Sequence, residues 1–171
     1  MKPNIPKLVF AILSTLYFMS IAWDPMQGSF LDYIDLPIHE FGHLLFRILG
    51  EFMGVAGGSL FQLLLPAVFV GYFLWQKSYY SAAVVLFWVG QSFLNVFVYA
   101  ADAVVMQLVL TSGSTGSEGG FHDWNYLLES LGLLASTPTI ARIIRLLGTS
   151  TIIIASVSTV FFSFQKPDQE K

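Results

Sequence analysis

The chain has 171 residues, of which 55% are hydrophobic and only 11% charged, whereas an ordinary soluble domain carries about 25% charged residues. A mean hydropathy of +0.68 and a net charge of −3 exclude a soluble enzyme, a disordered tail and a basic nucleic-acid binder, and the lack of cysteine removes disulfides, thiol catalysis and thiolate metal sites. At about 20 residues per helical crossing there is room for four or five spans and no second domain. The expectation is an all-α fold: a polytopic transmembrane helical bundle in which residues 1–171 form a single integral membrane domain.

Lys2 and Lys7 precede an apolar run over about 8–23. A basic start before such a run suits a signal peptide, and Ser20-Ile21-Ala22 resembles a small-x-small cleavage site. An uncleaved first span is the preferred reading, because the rest of the chain is equally apolar. Residues 24–35 are polar, acidic and punctuated by Pro25 and Gly28, which reads as an interfacial loop. Asp35 followed by Pro37 predicts a helix start, and the helix over about 36–49 ends at Gly50. At 1.5 Å per residue it is too short for a bilayer core of about 30 Å.

Gly54, Gly57 and Gly58 predict a flexible, close-packing turn. A second span follows over about 60–75, with Lys77 just beyond it, and a third over about 79–104. The apolar stretch of the third runs on to Leu110, too far for one crossing. Residues 111–121, rich in Gly, Ser and Thr, predict a flexible loop, and a short helix is expected from about Asp123. Arg142 and Arg145 mark an interface before a last span over about 146–164 and a polar tail. The chain has no internal repeat.

The sharpest motif is His39-Glu40-Phe41-Gly42-His43, an HExxH. On a helix, positions i and i+4 share a face, so two imidazoles can grip one metal ion from successive turns. The glutamate between them can take a proton from a water whose pKa zinc lowers to about 7. Ionisable groups in an apolar helix cost about 2.5–3.5 kcal/mol each on insertion scales, which makes this cluster a functional-site candidate. One Zn2+ per chain is expected, with His39 and His43 as ligands and Glu40 as the base.

A third ligand is required. His122, in Phe121-His122-Asp123-Trp124-Asn125, and its neighbour Asp123 are the candidates, His122 preferred, with the other orienting an imidazole. Gln91, Asn95 and Asp102 form a polar stripe on one face of the third span, which turns such a face toward the bundle interior. Asn95 can polarise a substrate carbonyl or hold an oxyanion. Asp102 can ligate the metal or accept from a metal-bound histidine, while Gln91 suits interhelical hydrogen bonding. Arg47 suits pairing with Glu51 or reaching to the interface.

The segment HEFGHLLFRILG (His39 to Gly50), the Gly57-Gly58-Ser59 turn and the apolar run to Pro66 together resemble the site-2 protease superfamily of membrane-embedded zinc metalloproteases, over roughly residues 36–70. The HDWNYLL stretch is similar to multi-pass bacterial proteins that carry HExxH. The resemblance implies an intramembrane peptidase with Glu40 as general base and His39 and His43 as zinc ligands. The aspartate motif that usually supplies that superfamily's third ligand has no counterpart here, so His122 and Asp123 would stand in for it.

Basic residues do not choose an orientation, since either topology places five on one side and three on the other. Geometry does choose. If the HExxH helix crossed fully, His39 and the His122 loop would face opposite sides, beyond the reach of zinc bonds of about 2.0–2.1 Å. The expectation is therefore four full spans and a re-entrant HExxH helix in a cell-membrane protein, with both termini cytoplasmic and the site opening outward. The expected function is hydrolysis of peptide bonds in membrane-protein substrates. The alternatives are a ceramidase-like lipid or amide hydrolase, or a non-catalytic metal-binding protein; no nucleic-acid partner is expected.

Overall fold

The computed structural model describes residues 3–164. Lys2, Lys166 and Lys171, which entered the count of basic residues, lie outside the described residues. Helix α1 (Ile5–Trp23) starts where Asn4 accepts the Lys7 N–H at 3.2 Å and Pro6 occupies the first turn. Helix α2 (Asp32–Phe46) closes with a 3-10 turn over Arg47–Leu49. Gly50, at φ +103°, then breaks the direction of the chain, a conformation that favours glycine. Helix α3 (Glu51–Trp75) is followed after a three-residue turn by α4 (Tyr79–Ala101), then α5 (Asp123–Ser130) and α6 (Thr137–Phe162).

Four stretches, Ile5–Trp23, Glu51–Trp75, Tyr79–Ala101 and Leu134–Phe162, are long and apolar enough to cross a membrane. Large apolar side chains such as Leu16, Trp75 and Val157 are exposed on these helices, which is compatible with a lipid environment. The core lies between α1, α4 and α6. There Phe18 stacks on Phe87 at 4.9 Å, and Leu94, Ile152 and Ala155 complete the cluster.

Several boundaries differ from the sequence reading, each for a packing reason. Gly54, Gly57 and Gly58 lie inside α3 and form no turn, so the second span begins at Glu51. Glycine costs about 1 kcal/mol in a helix interior, but here it admits α2. A Cβ on Gly57 would sit 2.6 Å from the Gly42 carbonyl, and one on Gly42 would sit 2.8 Å from Phe61 Cβ. Helix α2 starts at Asp32, so Asp35 is no cap; it is buried in the helix, and Pro37 lies inside the helix rather than in its first turn. The third span ends at Ala101, and the last begins at Thr137, so Arg142 and Arg145 are within it.

Contacts at the helix ends define the topology. The Asn4 N–H donates to Ser163 O at 2.8 Å and the Tyr80 hydroxyl to Lys7 O at 2.7 Å, so α1 and α4 begin at the end where α6 finishes. At the opposite end, Arg145 near the start of α6 donates to Trp23 O at 3.1 Å. Helices α1 and α4 therefore run parallel, and α3, joined to α4 by the short turn, runs against both. The end of α1 and the start of α3 share one end of the bundle, so the segment between them does not cross. It dips to mid-bundle, where Asp35 meets Trp88 and Ser92 of α4, and α2 returns to the end it came from. This is the re-entrant arrangement.

Candidate metal centre

The antiparallel packing of α2 on α3 places the HExxH face against three α3 glycines. His39 and His43, one turn apart on α2, have ring centroids 4.7 Å apart and nearly perpendicular planes. Asp123, the first residue of α5, completes the cluster. Its Oδ2 lies 3.0 Å from His39 Nε2 and 3.2 Å from His43 Nε2. Tetrahedral zinc with bonds of about 2.0–2.1 Å separates neighbouring ligand atoms by about 3.3–3.4 Å, so the three atoms stand close to a ligand triangle. Among the described residues, His39, His43 and Asp123 form the one group of this kind.

The donor set fits a metal ion by a second criterion. His43 Nδ1 lies 2.9 Å from the Gly54 carbonyl and His39 Nδ1 lies 3.1 Å from Gln62 Oε1. Both partners are acceptors, so each neutral ring carries its proton on Nδ1 and turns a bare Nε2 lone pair toward a carboxylate oxygen. Three such acceptors meeting at one point call for a positive charge among them, either a metal ion or a proton on an imidazole Nε2. Space is reserved there as well: a Cβ on Gly58 would come within 2.6 Å of His39 Nε2 and 2.7 Å of His43 Nε2.

Asp123 is delivered by an anchored segment. Trp124 Nε1 donates to Ser59 of α3 at 3.1 Å, Asn125 Nδ2 to the Ala103 carbonyl at 2.8 Å, and the Asp123 N–H to the Tyr99 hydroxyl at 3.1 Å. Burial raises the Asp123 carboxyl. With protons on the imidazole Nε2 atoms in place of a metal ion, hydrogen bonds from His39 and then His43 outweigh that effect and hold the group down at about 2, while Asp123 in turn raises His43 to about 9.

His122, the preferred third ligand in the sequence reading, is placed otherwise. Its Nδ1 accepts the Asn125 N–H at 3.2 Å and so caps α5, while Nε2 lies 3.3 Å from Asp102 Oδ2 without hydrogen-bond alignment. Burial lowers its pKa more than Asp102 raises it, keeping the ring neutral and its Nδ1 free to cap. Asp102 also lies outside the cluster; its two oxygens accept the Gln107 and Leu108 N–H groups at 3.0 and 2.9 Å and tie down the start of the long loop. That loop is locally structured. Thr115 and Glu118 cap each other, which lowers the Glu118 carboxyl, and Val109 pairs with Thr115.

A cleft of about 1080 Å³ opens on the cluster, lined by Glu40, Asn95, Tyr99 and the 108–112 segment among others. Glu40 is exposed and faces this space. Arg47 and Glu51 also line it. Gln91 donates across to Asp32, the interhelical role read for it. Asn95 is committed on both polar atoms, donating to Asp32 at 3.0 Å and accepting from Gln62 at 2.8 Å.

Sequence reasoning missed Gln62, Asp32, Asp35 and Tyr99. For Gln62 a signal existed, since an amide in the apolar run 60–75 needs a buried partner. For Asp32 and Asp35 the flanking Pro25 and Gly28 suggested a loop and hid the first turn of α2. Compared with known proteins, the chain matches no family model, no curated protein and no solved structure.

Proposed function

We propose that the protein is a zinc-dependent hydrolase of the membrane that cleaves peptide bonds in membrane-protein segments. The observation that carries this reading is the convergence of His39 Nε2, His43 Nε2 and Asp123 Oδ2 beside an exposed Glu40 in one cleft. His39, His43 and Asp123 would hold one zinc ion, which supplies Lewis acidity and lowers the pKa of a water to about 7. Glu40 takes the proton from the attacking water and returns it to the leaving amine. The choice of peptides over lipids rests on the resemblance of the His39–Gly50 segment to intramembrane peptidases. The walls of the bundle end keep His39 and Asp123 largely from solvent, while the cleft leaves a way in for an extended substrate.

Zinc content and turnover of purified variants test this. Glu40→Gln is expected to keep one zinc per chain and to lose turnover by about 10²–10⁴. Asp123→Ala is expected to lose the metal, and His122→Ala to retain it. Loss of metal in Glu40→Gln, or full metal content in Asp123→Ala, would sink the assignment. Cells carrying Glu40→Gln should accumulate an uncleaved membrane protein; accumulation of a lipid alone would move the reading to a lipid or amide hydrolase.

A further inference from the structure

Behind His39 the polar groups form a one-way chain. Asp32, in the first turn of α2, can only accept when ionised, and its Oδ1 takes the Nδ2–H of Asn95 at 3.0 Å. That fixes which way the Asn95 amide faces, so Asn95 Oδ1 is left to accept the Nε2–H of Gln62 at 2.8 Å. The Gln62 amide is fixed in turn, with Asp35 Oδ2 at 3.4 Å from Nε2 reinforcing the same orientation. Gln62 Oε1 then accepts from His39 Nδ1 at 3.1 Å. Each amide alone could be flipped, but the carboxylate at the far end removes the choice at every link.

We infer that Asp32, Asn95 and Gln62 act as a relay that sets the tautomer and ring orientation of His39, with Gln62 and Asn95 as positioning residues for the metal ligand. The inference rests on the metal-centre reading and assigns Asn95 a role behind the metal, in place of contact with substrate. Three elements contribute one link each: α2 gives Asp32, α4 gives Asn95 and α3 gives Gln62, which is only 2% exposed. The relay therefore also reports that the three helices are assembled, since a shift of any one breaks the chain. His43 needs no such chain, because its Nδ1 meets a backbone carbonyl that cannot flip.

The test measures zinc affinity by competition with a chromophoric chelator, and the visible spectrum of the cobalt-substituted protein, on full-length protein in detergent. Gln62→Met removes the acceptor at similar volume and is expected to weaken zinc binding about 10–100-fold and to alter the cobalt spectrum. Gln62→Glu restores an oxygen acceptor for Nδ1–H but sets its second oxygen against Asn95 Oδ1 and Asp35 Oδ2, so it should recover affinity and spectrum only in part. Asn95→Leu should weaken binding in the same sense, and the double variant Gln62→Met/Asn95→Leu should bind no more weakly than Gln62→Met, because both act through one chain. Thr159→Val removes a buried hydrogen bond on α6 that touches no member of the relay and should leave the cobalt spectrum unchanged, separating the relay from general loss of packing. If Gln62→Met fails to fold, Asn95→Leu and Gln62→Glu decide by the same readouts. Wild-type affinity and spectrum in the Gln62→Met and Asn95→Leu variants, or fully additive losses, would overturn the relay while leaving the metal centre standing. A wild-type protein that takes up no zinc overturns the metal centre itself.

Discussion

Gly58 is the residue at which the site is most easily blocked. Its missing side chain leaves room beside the two imidazole nitrogens, so Gly58→Ala should press on both rings and crowd the proposed metal position without removing a ligand. Zinc content is expected to fall from one per chain toward zero, with helix content by circular dichroism unchanged; full zinc occupancy in the variant would show that the cation sits elsewhere. His122 works differently. By capping α5 it holds Asp123 in register, and loss of an N-cap costs about 0.5–2 kcal/mol. His122→Ala should therefore lower the thermal midpoint while the folded protein still binds zinc.

At the scale of elements, two glycine contacts carry the helix packing, and they separate stability from site geometry. On the α2–α3 face, a Cβ at Gly57 would meet Phe46 Cβ at 2.5 Å and the Gly42 carbonyl at 2.6 Å. On the α4–α6 face, a Cβ at Gly90 would meet Ile152 Cγ1 at 2.6 Å. Overpacking of this kind costs about 1–3 kcal/mol. Gly57→Val is expected to lower stability and zinc affinity together, because it pushes the histidine helix off its support. Gly90→Val should lower stability with a smaller effect on zinc affinity, provided that α6, which carries no residue of the cluster or the relay, is the helix that gives way. Equal zinc affinity in the two variants, measured on folded protein, would refute this division of labour.

For the whole molecule, the topology predicts accessibility. The three-residue turn after α3 lies at the end of the bundle where the described chain starts and finishes, whereas the 108–112 segment flanks the cleft at the other. Single cysteines at Gln76 and Ser112, both exposed, should label from opposite sides of a sealed membrane vesicle. The proposed orientation adds that Ser112→Cys labels from outside and Gln76→Cys from the cytoplasmic side. Labelling of both from one side would contradict the four-span arrangement.

Composition and hydropathy alone determined that this chain is a bundle of four long apolar helices, because the hydrophobic surface leaves no other way to satisfy it. The i, i+4 spacing determined that His39 and His43 share a face, because helical periodicity is local. The shortness of the HExxH segment likewise pointed to re-entry, as helix length is local arithmetic. The third member of the cluster was beyond sequence reasoning: His122 and Asp123 are adjacent, and only the anchoring of α5 to α3 and α4 turns Asp123 inward and His122 toward Asp102. The same holds for Gly58, legible as a small residue but not as the one that lies against both imidazoles of the cluster. Gln62, Asn95 and Asp32 come from three helices far apart in the chain, and their order as a hydrogen-bonded relay exists only once tertiary packing has brought those helices together.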